Sequence, residues 1–107
     1  MKGKRESIAM RLYKCSATCS TSDLFSYNTR LFWIDYPYYI LYIYPSNTSK
    51  MHIRKYIQWL HDNDYAPLAD IVRHMYNLGI KYKKSWVVYN LSADNYEVVD
   101  VYRYSVK

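Results

Sequence analysis

Ile8, Met10 and Leu12 alternate with Ala9, Arg11 and Tyr13, a period of two that predicts a strand. Residues 16–28 are rich in Ser and Thr and read as a loop, pinned to the body by Leu24, Phe25 and Tyr27. Residues 29–35 and 38–44 are aromatic and β-branched and flank Tyr36-Pro37, which predicts a hairpin. Its second arm is apolar at nearly every position, as in a central strand covered on both faces.

Pro45-Ser46-Asn47-Thr48 ends that arm and offers several N-caps. Ile53, Tyr56, Ile57 and Leu60 then fall at i, i+3, i+4 and i+7, the buried stripe of a helix over about residues 49–61. Asp62-Asn63-Asp64 breaks it, with capping as the role expected for the two aspartates. Pro67 suits the first turn of a second helix, Leu68, Ile71, Val72 and Met75 form its stripe, and Gly79 is placed as its C′ residue. The short connection makes the two helices an antiparallel pair. Residues 84–91 and 96–106 read as a second hairpin. The expected fold class is α+β: an antiparallel sheet of about five strands, order β-ββ-αα-ββ, with an antiparallel helix pair on one face. The expected organisation is a single domain over 1–107, with 1–6 as a frayed lead-in.

Half of the residues are hydrophobic and the net charge is +6, which removes the chain from the disordered class. The longest apolar stretch, residues 38–44, is too short to span a membrane. No apolar segment follows the charged residues 1–6, so no export signal is read. The expectation is a protein of the host-cell cytoplasm with reduced thiols. Cys15 and Cys19 are spaced C-x3-C without a second close ligand pair, and His52, His61 and His74 are far apart, so neither a metal nor another cofactor is expected. His52 is read on the polar side of the first helix beside Arg54 and Lys55, His61 at its C-terminal end, and His74 beside Arg73. None of these reads as a catalyst. Two glycines in the whole chain leave no phosphate-cradling loop. The protein is therefore expected not to be an enzyme, with a small hydrolase built on Cys15 or Cys19 as the third-ranked reading.

The placing of charge changes the picture. Residues 1–30 carry six basic and two acidic side chains, residues 31–70 three and four, and residues 71–107 six and three. Cations and aromatics interleave at Lys81, Tyr82, Lys83 and Lys84 and again at Tyr102, Arg103 and Tyr104. Cations neutralise phosphates and aromatic faces stack on bases, so this pattern suits a nucleic-acid strand. Arg54 and Lys55 lie off the buried stripe and make a second patch. These nine side chains are the candidate binding residues. The competing structural account is a solvated connection beside a strand whose tyrosines face the core.

The stretch Thr48-Ser49-Lys50-Met51-His52-Ile53-Arg54-Lys55-Tyr56-Ile57-Gln58-Trp59-Leu60, set in a small tyrosine-rich chain, resembles small accessory proteins of bacteriophages and other mobile elements, anti-CRISPR proteins among them. No functional residue comes with the resemblance. It implies a non-enzymatic inhibitor that binds and blocks a host protein or protein–nucleic-acid complex such as a CRISPR effector. Anti-CRISPR proteins that mimic DNA tend to be acidic, so a basic chain argues against mimicry and for occlusion by an aromatic and basic surface. The alternative is a direct DNA- or RNA-binding module.

Overall fold

Seven strands and two helices make an α+β fold in the computed structural model, which describes residues 10–11 and 17–100. The strands are β1 (Met10–Arg11), β2 (Ala17–Cys19), β3 (Asp23–Ser26), β4 (Thr29–Asp35), β5 (Tyr38–Tyr42), β6 (Trp86–Asn90) and β7 (Asn95–Val99). They lie in the sheet in chain order, each antiparallel to its neighbours. The helices α1 (Asn47–Asp62) and α2 (Ala66–Tyr82) are spliced between β5 and β6. Those two strands still pair directly: Tyr42 lies opposite Trp86, and the Ile43 N–H donates to the Ser85 carbonyl at 2.7 Å.

The hairpin at Tyr36-Pro37 and the helix pair are where the hydrophobic pattern puts them. The Ser- and Thr-rich segment is not a loop. It forms β2 and β3, which raises the strand count from about five to seven. Ala17 and Cys19 are buried and Thr18 is exposed, so a period of two is present in small side chains that carry a weak hydrophobic signal. Of the first expected strand, Met10–Arg11 is β1; its remainder, residues 1–6 and the last expected strand beyond residue 100 lie outside the described residues.

One row of side chains ties the sheet to the helices. Leu24, Phe32, Leu41 and Val87 are opposite one another across β3, β4, β5 and β6, and all four are fully buried. Burying side chains of this size contributes about 1.5–3 kcal/mol each. A bulge assists: Leu24 pairs with Phe32 and Phe25 with Arg30, leaving Leu31 as an extra residue in β4. Leu31 and Phe32 are adjacent and neither has exposed surface. On the other face Trp33, Ile40 and Val88 are aligned, with Ile40 and Val88 buried. Trp86 stacks on Tyr42 at 4.3 Å between centroids, and the Arg30 guanidinium lies 5.0 Å from the Trp33 ring centroid. The central strand β5 is thus buried on both sides, as its composition predicts.

Ser46 caps α1 by accepting from the Ser49 N–H at 3.1 Å. Asp62 accepts from Gln58 Nε2 at 2.9 Å, Asp64 takes a left-handed conformation (φ 69°), and the N-cap of α2 is Tyr65 with no side-chain bond. Neither aspartate caps α2. The C-terminus of α2 also differs from expectation. The helix runs through Gly79 to Tyr82, and the left-handed C-cap is Lys83 (φ 56°). Gly79 is buried in the helix interior, where an added Cβ would collide with Ile43 Cδ1 and lie 3.1 Å from Val87 Cγ2. Its role is close approach of helix to sheet. In α2 the fully buried side chains are Val72 and Met75, with Ala69 beside them, whereas Leu68 and Ile71 are half-buried. Arg54 Nη1 donates to Tyr76 Oη at 2.9 Å and Arg73 Nη2 meets His61 Nε2 at 3.0 Å, so early positions of α1 face late positions of α2. That matching makes the pair antiparallel. The helix α2 lies across β5, β6 and β7, and α1 reaches β3.

Candidate anion-binding surface

The last turn of α2 presents Lys81 and Tyr82 outward, and the chain then reverses. The Lys83 N–H donates to the Ile80 carbonyl at 3.3 Å and the Lys84 N–H to the Gly79 carbonyl at 3.0 Å, closing the helix on a left-handed residue. Antiparallel packing sets this reversal beside the first turn of α1, which carries Lys50. The result is a cavity of about 360 Å³ with Lys50, Lys83 and Lys84 on its walls and Ile43, Gly79 and Ile80 among its lining.

The three cations are not equally engaged. Lys84 Nζ donates to Asp100 Oδ2 at 2.9 Å. No carboxylate among the described residues pairs with Lys50 or Lys83. Like charges gathered around one concavity raise the local positive potential and favour an anion there. At the same end Tyr82 is 51 % and Tyr44 45 % exposed, and Lys81 Nζ lies 5.3 Å from the Tyr82 ring centroid.

A second cavity, of about 290 Å³, lies further along the two helices, between Arg54, Ile57 and Gln58 of α1 and Arg73, Tyr76 and Asn77 of α2. Lys50, Arg54, Ile57 and His61 recur at one edge of α1, and Arg73, Tyr76 and Ile80 at one edge of α2. Both cavities therefore open on the same helix–helix seam. The far end of the seam is neutralised: Arg73 bonds Asp70 at 3.1 Å, and Asp70 lies 3.5 Å from His61.

Of the sequence-predicted binding residues, Lys83, Lys84 and Arg54 come together along this seam. Lys81 and Tyr82 sit at the same end but outside the cavity. Lys55 does not join them: one residue on from Arg54 it is turned about 100° around the helix and approaches His52 instead. Tyr102, Arg103 and Tyr104 lie outside the described residues. Lys50 and Arg73 were missed. The i, i+4 spacing of Lys50 and Arg54 was the available signal, but only the pairing of the helices shows what that edge faces.

His52 is not a surface residue. It is 1 % exposed, and its Nδ1 lies 2.7 Å from Ser26 Oγ, itself 3 % exposed. Burial, and secondarily the Lys55 charge, hold its pKa below the usual histidine range. The Tyr27 ring centroid is 6.2 Å away. This serine–histidine couple lines neither cavity, and its evident work is to tie β3 to α1. Cys19 is fully buried in β2, close to Tyr56, whose hydroxyl donates to the Ser20 carbonyl at 2.8 Å and is held protonated by burial.

Compared with protein-family models, curated proteins and solved structures, the chain finds no match. No helix among the described residues is long and apolar enough to cross a membrane.

Proposed function

We propose that this protein is a non-enzymatic binding protein that attaches to a host protein–nucleic-acid complex and blocks it by occlusion, a CRISPR-type effector being the candidate target. The observation that carries the reading is the convergence of Lys50, Lys83 and Lys84 around one concavity. Lys50 and Lys83, which have no carboxylate partner among the described residues, suit a surface rich in phosphate or carboxylate. Ile43 and Ile80 add apolar area, and the exposed tyrosines nearby are the side-chain type that most often anchors interfaces. Charge of one sign also steers the encounter and speeds association.

The test is capture from host lysate with the parent protein and with the Lys50→Glu/Lys83→Glu double variant. The parent is expected to retain a nucleic-acid-containing complex that the variant loses at unchanged melting temperature. Equal capture by both proteins would remove the cavity from the interface and sink the reading.

A further inference from the structure

The two cavities on the α1–α2 seam share one edge of each helix, and the cations along it form a line. Lys83 and Lys50 stand at one end, Arg54 follows one turn further along α1, and Arg73 stands beyond it on α2, opposite His61 and paired with Asp70. Lys50 and Arg54 are separated by a rise of about 6 Å, one helical turn. Between the cations lie hydrogen-bonding side chains, Gln58 and Asn77, over the apolar Ile57.

We infer that this seam is a track for the sugar–phosphate backbone of a single nucleic-acid strand, gripped in turn by Lys83, Lys50 and Arg54, with the Asp70-paired Arg73 marking its neutralised end. The inference rests on the blocking role proposed above and names the component of the target that the basic surface touches. Three features favour it. The line of positive charge is extended rather than a single point, which fits a polymer of regularly spaced anions. The valley between two helices packed about 8–10 Å axis to axis accepts one backbone and not a double helix. Tyr44 and Tyr82 stand exposed at the strongly basic end, where unpaired bases leaving the track find rings to stack on. The acidic groups near the seam are already engaged: Asp100 with Lys84 at one end, and Asp70 with Arg73 and Asp62 with Gln58 toward the other. Lys50, Lys83 and Arg54 have no carboxylate partner among the described residues, and binding a phosphate there breaks no ion pair. None of these side chains reads a base edge, so binding is expected to be indifferent to sequence.

The experiment is fluorescence anisotropy with a labelled single strand of about twelve nucleotides across a salt series, with an unlabelled duplex of the same sequence and polyglutamate as competitors. The parent is expected to bind with an affinity that falls linearly with salt on logarithmic axes. Lys50→Gln/Arg54→Gln/Lys83→Gln is expected to reduce that slope by about two, at roughly 0.7 per phosphate contact on a single strand. Lys55→Gln, on the other side of α1, is expected to leave the slope unchanged. An unchanged slope in the triple variant overturns the track, and so does tighter binding of the duplex. Displacement by polyglutamate at equal charge overturns it in favour of an acidic protein surface. If the strand fails to bind while lysate capture still depends on Lys50 and Lys83, the track is wrong and the blocking role stands. If neither depends on these lysines, both fall.

Discussion

Ser26 Oγ and His52 Nδ1 meet at 2.7 Å inside the core and join β3 to α1 across 26 positions of the chain. A neutral imidazole satisfies this bond in either tautomer, as acceptor from the hydroxyl or donor to it. Burial and Lys55 lower the folded-state pKa, so the unfolded chain binds a proton at His52 more readily than the folded one. Stability from this group is therefore fully present above about pH 6.5 and is lost as pH falls below that toward the folded value. Thermal unfolding from about pH 8 to about pH 5 should show the parent losing melting temperature over the lower part of that range. His52→Asn, which keeps a polar partner for Ser26 but does not titrate, should be flatter there. Parallel curves would mean that other groups carry the pH dependence.

Gly79 lies where α2 packs closely on Ile43 and Val87. Alanine is the better helix former by about 1 kcal/mol, yet Gly79→Ala should destabilise the protein, because overpacking a filled site costs about 1–3 kcal/mol. The colliding atom is Ile43 Cδ1, which Ile43→Val removes. The double variant should recover much of the loss in chemical denaturation. Additive losses would show that the clash is taken up elsewhere, at Val87 or at the Lys84 carbonyl.

Ile53 has no exposed surface, whereas Ile71 is half-buried. Ile53→Ala is expected to cost about 2–5 kcal/mol and Ile71→Ala clearly less. Comparison of urea midpoints checks the order, and a reversed order would mean that α2 is rotated about its axis.

Lys83 occupies a left-handed backbone position, which costs a side-chain-bearing residue about 1–2 kcal/mol relative to glycine. Lys83→Gly should raise the melting temperature while weakening the partner interaction. A variant that gains stability and keeps full binding would take Lys83 out of the contact surface. A gain in stability with a loss of binding is the signature of a residue kept for function at some expense of stability.

Both helices were legible in the sequence because their stripes are long and made of large side chains. The Tyr36-Pro37 turn was legible because strong β-formers flank it, and so was the second hairpin, whose connection reads as 92–95 in the sequence and lies one residue earlier, at 91–94, in the structure. The β2–β3 hairpin was not, since Ala17, Cys19 and Ser26 face inward but weigh little on any hydrophobic scale. His52 was misplaced by its neighbours: Arg54 and Lys55 suggested a wet face, while Ser49 and Tyr56, one turn either side, and the adjacent Ile53 are all buried. Gly79 imitated a helix stop because a glycine that ends a helix and one that lets a helix approach a sheet look identical in one dimension. The candidate site was half legible. Lys83, Lys84 and Arg54 stood out as charges, but the seam that aligns them with Lys50 and Arg73 exists only once α1 and α2 pack.

The chain leaves the sheet at Tyr42 and re-enters at Trp86, residues that face each other across adjacent strands. The departure and return points of the helical hairpin therefore coincide, and the meander on either side keeps its register whatever is hung there. Substitution can rewrite the outer edges of α1 and α2 freely, provided that inward side chains such as Ile53, Val72 and Met75 still cover the row from Leu24 to Val87. The surface of the helical hairpin is therefore uncoupled from the register of the sheet, and one can change without renegotiating the other.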